Sequence, residues 1–127
     1  MNREEILTIK NKCEAIYLKL DNILYIQADG NYSNIYLTDG SAIKALSYQR
    51  AELVRMMEEQ LPEESRQRFA PLGRSYTVNT DYVLRIRPGK QLLTFCVNNF
   101  GTIHKVSIKA TSKALTALVE DINKHVA

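Results

Sequence analysis

The stretch Ile23-Leu24-Tyr25-Ile26-Gln27-Ala28-Asp29-Gly30-Asn31-Tyr32-Ser33-Asn34-Ile35-Tyr36-Leu37-Thr38-Asp39-Gly40-Ser41-Ala42-Ile43-Lys44-Ala45-Leu46 decides the fold class. Ile23–Ala28 reads as a strand and ends at Asp29-Gly30. Asp-Gly is a hairpin signal, because a type I′ turn needs positive φ at both central residues. Tyr32–Thr38 then alternates, with Ser33, Ile35 and Leu37 on one face and Asn34, Tyr36 and Thr38 on the other. Asp39-Gly40 is a second such turn, and Ser41–Leu46 closes the set. Strands joined in this way by tight turns make an antiparallel meander.

Toward the N-terminus, Ile6–Lys10 is a short β-rich run, Asn11-Lys12 a turn, and Ala15–Leu20 a strand with Ile16, Leu18 and Leu20 on one face. After the meander the period changes. Leu53, Val54, Met57 and Leu61 fall at helical spacing, so Ser47–Leu61 is predicted as a helix with Ser47 as N-cap and Pro62 as its stop. The two methionines of this segment fit core packing better than an adaptable groove. Glu63–Arg68 reads as a charged loop. Tyr82–Arg87 alternates again, Pro88-Gly89-Lys90 turns, and Gln91–Val97 is an apolar strand. Asn98–Gly101 is a further turn, Thr102–Val106 a final short strand, and Lys113–Asn123 a terminal helix carrying Leu115, Leu118, Val119 and Ile122 at helical spacing. Long β sections with one interrupting helix and no βαβ alternation argue for a mainly β domain without a parallel sheet.

The chain has 127 residues, enough for one domain with its own core, and 1–127 reads as a single domain without linker or repeat. A formal charge of +3 permits an anionic partner without requiring one, so binding would depend on where the cations cluster. Cys13 and Cys96 each fall in a segment read as strand and are expected to be buried, reduced thiols. There is no Cys/His spacing for zinc, no signal peptide and no apolar run of membrane-spanning length, so the chain reads as cytoplasmic.

Enzyme chemistry finds little support. His104 sits in a strand beside Lys105, and His125 lies near the end of the chain. No Gly-x-Ser-x-Gly elbow, phosphate-cradling loop or His-Glu-x-x-His is present. Asp29 and Asp39 are explained by the turns that follow them. No catalytic residue, metal, cofactor or small-molecule substrate is expected.

Phe69-Ala-Pro-Leu-Gly-Arg-Ser-Tyr-Thr-Val-Asn79 stands apart. It shows no helical or strand period. Phe69, Leu72, Tyr76 and Val78 are apolar anchors, while Arg74, Ser75, Thr77 and Asn79 present hydrogen-bonding groups. That mixture suits recognition of phosphates and base edges from a rigid base; it also suits an ordinary packed connection. Further cations fall in two groups: Lys105 with Lys109 around Val106-Ser107-Ile108, and Arg85, Arg87 and Lys90 on a hairpin. The second group is equally a solvated hairpin face.

The order of these features resembles the LytTR family of DNA-binding domains over roughly Ile16 to Ile122. The sharpest pieces are Arg74-Ser75-Tyr76-Thr77-Val78-Asn79 and the Leu24–Tyr32 run, followed by the amphipathic helix, the hairpin, Val106-Ser107 and the terminal helix. The resemblance implies an elongated antiparallel β-sandwich of stacked sheets with a short internal helix and a C-terminal helix. It implies a bacterial, response-regulator-like transcriptional regulator that contacts promoter DNA through loops and strand ends, in successive major grooves and often as two copies on repeated sites. Carried over by position, the contacts are Arg74 and Ser75, then Ser107 and Lys109, with Lys105 beside them and Asn31, Tyr32 and Ser33 as a third group. Asn79, with Tyr76 and Val78, matches the motif as a structural element. Family members usually carry basic or histidine side chains where Pro71 and Gly73 stand, and arginines where Ile108, Lys109 and Ala110 stand. A protein-interaction module on the same fold is therefore the alternative reading. The residues before the match leave no room for a receiver domain, so a stand-alone regulator and a domain cut from a longer one both remain open.

Overall fold

In the computed structural model, which describes residues 5–126, strands dominate and every pairing is antiparallel. The order is β1 (Ile6–Lys10), β2 (Ala15–Lys19), β3 (Ile23–Asp29), β4 (Tyr32–Leu37), β5 (Ala42–Leu46), α1 (Arg50–Gln60), α2 (Glu63–Arg66), β6 (Phe69–Leu72), β7 (Tyr76–Asn79), β8 (Val83–Arg87), β9 (Leu92–Asn99), β10 (Thr102–Lys109) and α3 (Ser112–Val126). They form a two-stranded sheet β1-β2, a five-stranded sheet β5-β4-β3-β7-β6 and a three-stranded sheet β10-β9-β8. The expected meander is the β5-β4-β3 part of the central sheet, and the mainly β, stacked-sheet class holds.

The central sheet is buried on both faces, which is why β3 is apolar almost throughout. Ile23 and Ile26 join Leu7, Ile9, Leu18, Ile35, Leu53 and Met57 in one core, beneath the β1-β2 hairpin and α1. Leu24 and Tyr25 join Leu72, Val78, Leu93, Phe95, Leu115 and Leu118 in the other, against the three-stranded sheet and α3. A register shift between Ile23 and Tyr25 lets neighbouring residues share a face. A two-stranded hairpin is marginal by itself in water. Here it is held because Leu7, Ile9 and Leu18 are almost wholly buried, at about 1.5–3 kcal/mol for each such side chain.

Tyr25 is clasped between Tyr36 (ring centroids 4.6 Å apart) and Phe95 (5.5 Å), with Tyr76 edge-on at 5.7 Å. Burial, reinforced by Tyr36 and Tyr76, pushes its hydroxyl pKa up to about 12. Asn79 is fully buried: its Nδ2 donates to the Ile23 carbonyl at 2.9 Å, and its Oδ1 accepts from the Asp81 amide at 3.1 Å. Arg68 ties the two short turns before β3 and β8 together through ion pairs with Asp21 and Asp81. Its Nε lies 2.6 Å from Asp81 Oδ2. Desolvation acts to lower the Arg68 pKa, yet the Asp21 hydrogen bond and the two carboxylate charges outweigh it and raise the pKa.

Several local expectations fail for identifiable reasons. The β3–β4 loop is Gly30-Asn31, and only Gly30 has positive φ (62°), as a type II′ turn requires. Helix α1 starts later than Ser47: Gln49 caps it, and its amide donates to Glu52 Oε1 at 3.1 Å. The charged run after Pro62 contains the single-turn helix α2. Phe69–Asn79 is a hairpin, β6–β7, whose short strands hide their alternation. The last strand reaches Lys109, so Ser107 and Lys109 lie on a strand and not in a loop. A register shift at Leu84 breaks the alternation of β8 and leaves Leu84 exposed. Cys13 is exposed in the β1–β2 turn, which Asn11 Oδ1 organises by accepting the amides of Cys13 and Glu14 at 2.8 and 2.9 Å; Cys96 is half-buried.

Candidate nucleic-acid interface

The β6–β7 loop is Gly73-Arg74-Ser75. Gly73 takes φ 61°, so the position favours glycine, and it packs beside Ala114 of α3. Pro71 sits on β6, the edge strand of the central sheet, where a missing backbone N–H is tolerated. The loop is braced from two sides. Arg50, the first residue of α1, donates from Nε to the Arg74 carbonyl at 3.1 Å and from Nη1 to Thr77 Oγ1 at 2.9 Å. The Ala28 amide donates to the Ser75 carbonyl at 2.7 Å. The Arg74 and Ser75 carbonyls are thereby occupied, while both side chains stay exposed.

Arg74 and Ser75 share a shallow surface depression of about 450 Å³ with Lys109, Gln91 and Thr111. Among the described residues no carboxylate lines it. Thr111 begins α3: its Oγ1 accepts the Ala114 amide at 3.1 Å and its carbonyl accepts the Leu115 amide at 3.0 Å. The positive end of a long helix therefore borders the same depression as two cationic side chains, an arrangement suited to phosphate. Arg50, Gln91 and the start of α3 were missed from sequence. A capping threonine just before the terminal apolar stripe was the one available signal.

The remaining predicted residues divide. Lys105 and Ser107 alternate with Lys109 along β10. They share the outer face of the three-stranded sheet, where Ser107 pairs with Thr94 (hydroxyl oxygens 3.0 Å apart), Thr94 with Arg85, and Leu92 with both Lys109 and Arg87. Lys105 lies roughly 13 Å of strand from Lys109, beyond the depression. Asn31 and Tyr32 are exposed at the β3–β4 turn, and Asn31 Oδ1 accepts from Gln49 Nε2 at 3.5 Å, next to Arg50. Ser33 corrects the expectation: it is fully buried, and its hydroxyl donates to the Tyr48 carbonyl at 2.8 Å, so it presents nothing to a ligand. Tyr76 and Val78 belong to the second core. Among the described residues no cluster of His, Cys, Asp and Glu could hold a metal, and no helix is long and apolar enough to cross a membrane.

No curated protein matches the chain. Among solved structures, it is similar to the LytTr DNA-binding domain of a Bacillus cereus protein described as a methyl-accepting/DNA response regulator, with 16% identity and a TM-score of 0.58 over 93% of this chain and 96% of that one. At that identity the likeness shows the fold alone. The model of the LytTr DNA-binding domain matches residues 14–119, most of the sequence, and on that match the chain belongs to the LytTR family of DNA-binding domains.

Proposed function

We propose that the chain is a sequence-specific transcriptional regulator that reads major grooves of promoter DNA through loops and strand ends, with two copies on repeated sites. The observation that carries this is the meeting of Arg74, Ser75 and Lys109, distant in sequence, in one carboxylate-free depression beside a helix N-terminus. Arg74 can read guanine with two parallel bonds or neutralise a phosphate; Lys109 supplies charge without that fork. Ser107 and Lys105 extend the contact along β10, and Asn31 and Tyr32 flank it.

Selection from random duplex DNA at two salt concentrations tests the reading. The expected result is an enriched repeated motif, with Arg74→Ala and Lys109→Ala each weakening binding and lowering the salt slope by about one. Unselective binding untouched by either substitution would overturn it. The alternative, a protein-interaction module, loses part of its motivation because Pro71 and Gly73 have backbone reasons to be where they are. It keeps the exposed Phe100 and Ile103 at the other end of β10, and recovery of a specific protein partner after nuclease treatment would favour it.

A further inference from the structure

A second cavity lies on the other side of the β6–β7 hairpin. It holds about 220 Å³ between α1 and β6, walled by Val54, Met57, Phe69 and Pro71 and lined also by Arg50 and Arg66. Arg66 Nε is buried and has no hydrogen-bond partner among the described residues. A guanidinium cannot shed its proton, so a buried N–H of that group favours an acceptor beside it. The cavity therefore joins a guanidinium with a free buried donor to a largely apolar wall.

The lining narrows the ligand class. Glu58 is the one carboxylate among the lining residues, so two arginines leave one net positive charge. That balance suits a single negative charge and disfavours a phosphate dianion. The apolar walls favour a ligand with a hydrocarbon body. The volume is below the roughly 300–1,000 Å³ of drug-sized sites, so the body is a single ring or a short chain. We propose that this cavity binds a small monocarboxylate, its carboxylate on Arg66 and on the Arg50 N–H groups not given to Arg74 and Thr77, and its apolar body against Val54, Met57, Phe69 and Pro71. The cavity shares no lining residue with the DNA-facing depression, although Arg50 also braces the Arg74 loop, and the proposal does not rest on the DNA reading.

Titration of the full chain with benzoate, followed by amide chemical shifts, tests this without DNA. Saturable shifts are expected at residues of α1, α2 and β6. Benzamide, the uncharged isostere, and inorganic phosphate, the anion without a body, are each expected to bind at least about tenfold more weakly, since charge-assisted pairing and apolar contact are both needed. Arg66→Gln should weaken benzoate at least about tenfold while leaving the spectrum dispersed, and Val54→Phe should fill the cavity and remove binding. Absence of saturable benzoate shifts, or an equal response to benzamide, would overturn the proposal on the wild-type protein alone. So would benzoate affinity unchanged in a folded Arg66→Gln variant.

Discussion

Two hairpin tips, β6–β7 and β9–β10, solve the same geometric problem in opposite ways. Both need positive φ: Gly73 (61°) in the first, Phe100 (51°) and Gly101 (83°) in the second. The first tip is braced from outside the hairpin by Arg50 and by the Ala28 amide. The second relies on its own strand, with the Gly101 amide donating to Asn98 Oδ1 at 3.1 Å, and on Asn99 Nδ2 donating to the Thr38 carbonyl at 2.7 Å. The braced tip shows water polar side chains on a fixed backbone. The other shows a phenyl ring that buries nothing, with a relative exposure of 108%. Fixed donors suit recognition of a polar lattice, because the ordering entropy is already met before binding.

The largest expected effect lies in the brace. Arg50 is a cation at a helix N-terminus, where the macrodipole disfavours it, so helix stability alone does not explain its presence. Its bonds to Arg74 and Thr77 do. Arg50→Ala is expected to loosen the tip and weaken DNA binding about tenfold, the equivalent of one charged hydrogen bond lost. Fluorescence anisotropy with the selected duplex reads this, and urea unfolding should show a smaller change. Unaltered affinity would mean that Arg74 does not depend on its support, and the contrast between the tips would lose its functional meaning.

The unbraced tip offers the converse experiment. Placing an ordinary L-residue in the left-handed region costs roughly 1–2 kcal/mol, and asparagine tolerates it better than most. Phe100→Asn creates the Asn-Gly pair that two-residue type I′ loops prefer. Since the ring packs on nothing, the substitution is expected to stabilise the fold by about 0.5–1 kcal/mol, raising Tm by about 2–5 °C with DNA affinity unchanged. A fall in Tm would show that the ring contributes contacts at this end after all.

How far these differences were legible in sequence depends on range. The meander was readable because β4 alternates and the strands on either side of it are set off by Asp-Gly pairs. The turn class was not, because whether the central pair was Asp29-Gly30 or Gly30-Asn31 depends on a register that the neighbouring strands set. Arg74 and Ser75 stood out beside their apolar anchors, as did Lys109 among the late cations. Their meeting did not, since it is made by β7 lying beside β3 and by α3 returning to the same corner. Ser33 shows the limit most plainly: it lies on the apolar face of β4, and its burial follows from the same alternation that places Ile35 in the core. The resemblance to a family drew it toward the site, and the strand period already pointed away. Arg50 carried no local signal, because its partners are 24 and 27 residues away.

The smallest expected effect concerns a third tip, the β4–β5 turn, which touches the β9–β10 hairpin where Thr38 accepts from Asn99. Asp39 Oδ1 accepts both the hydroxyl and the amide of Ser41, the latter at 2.8 Å. These bonds, the hydroxyl's first, hold the Asp39 carboxyl below its ordinary value of 3.8. A carboxylate whose folded pKa is depressed stabilises the fold above its unfolded pKa, and that stability is lost as pH falls through the folded value. Asp39→Asn keeps an acceptor for Ser41 but does not titrate. The Tm difference between wild type and Asp39→Asn should therefore stay constant above 3.8 and change only below it. The shift should be small, because water competes freely at a fully exposed turn. Parallel melting curves throughout the acid range would show that the bonds to Ser41 persist with the carboxyl protonated, which would place the order of this tip in its glycine and backbone instead of its charge.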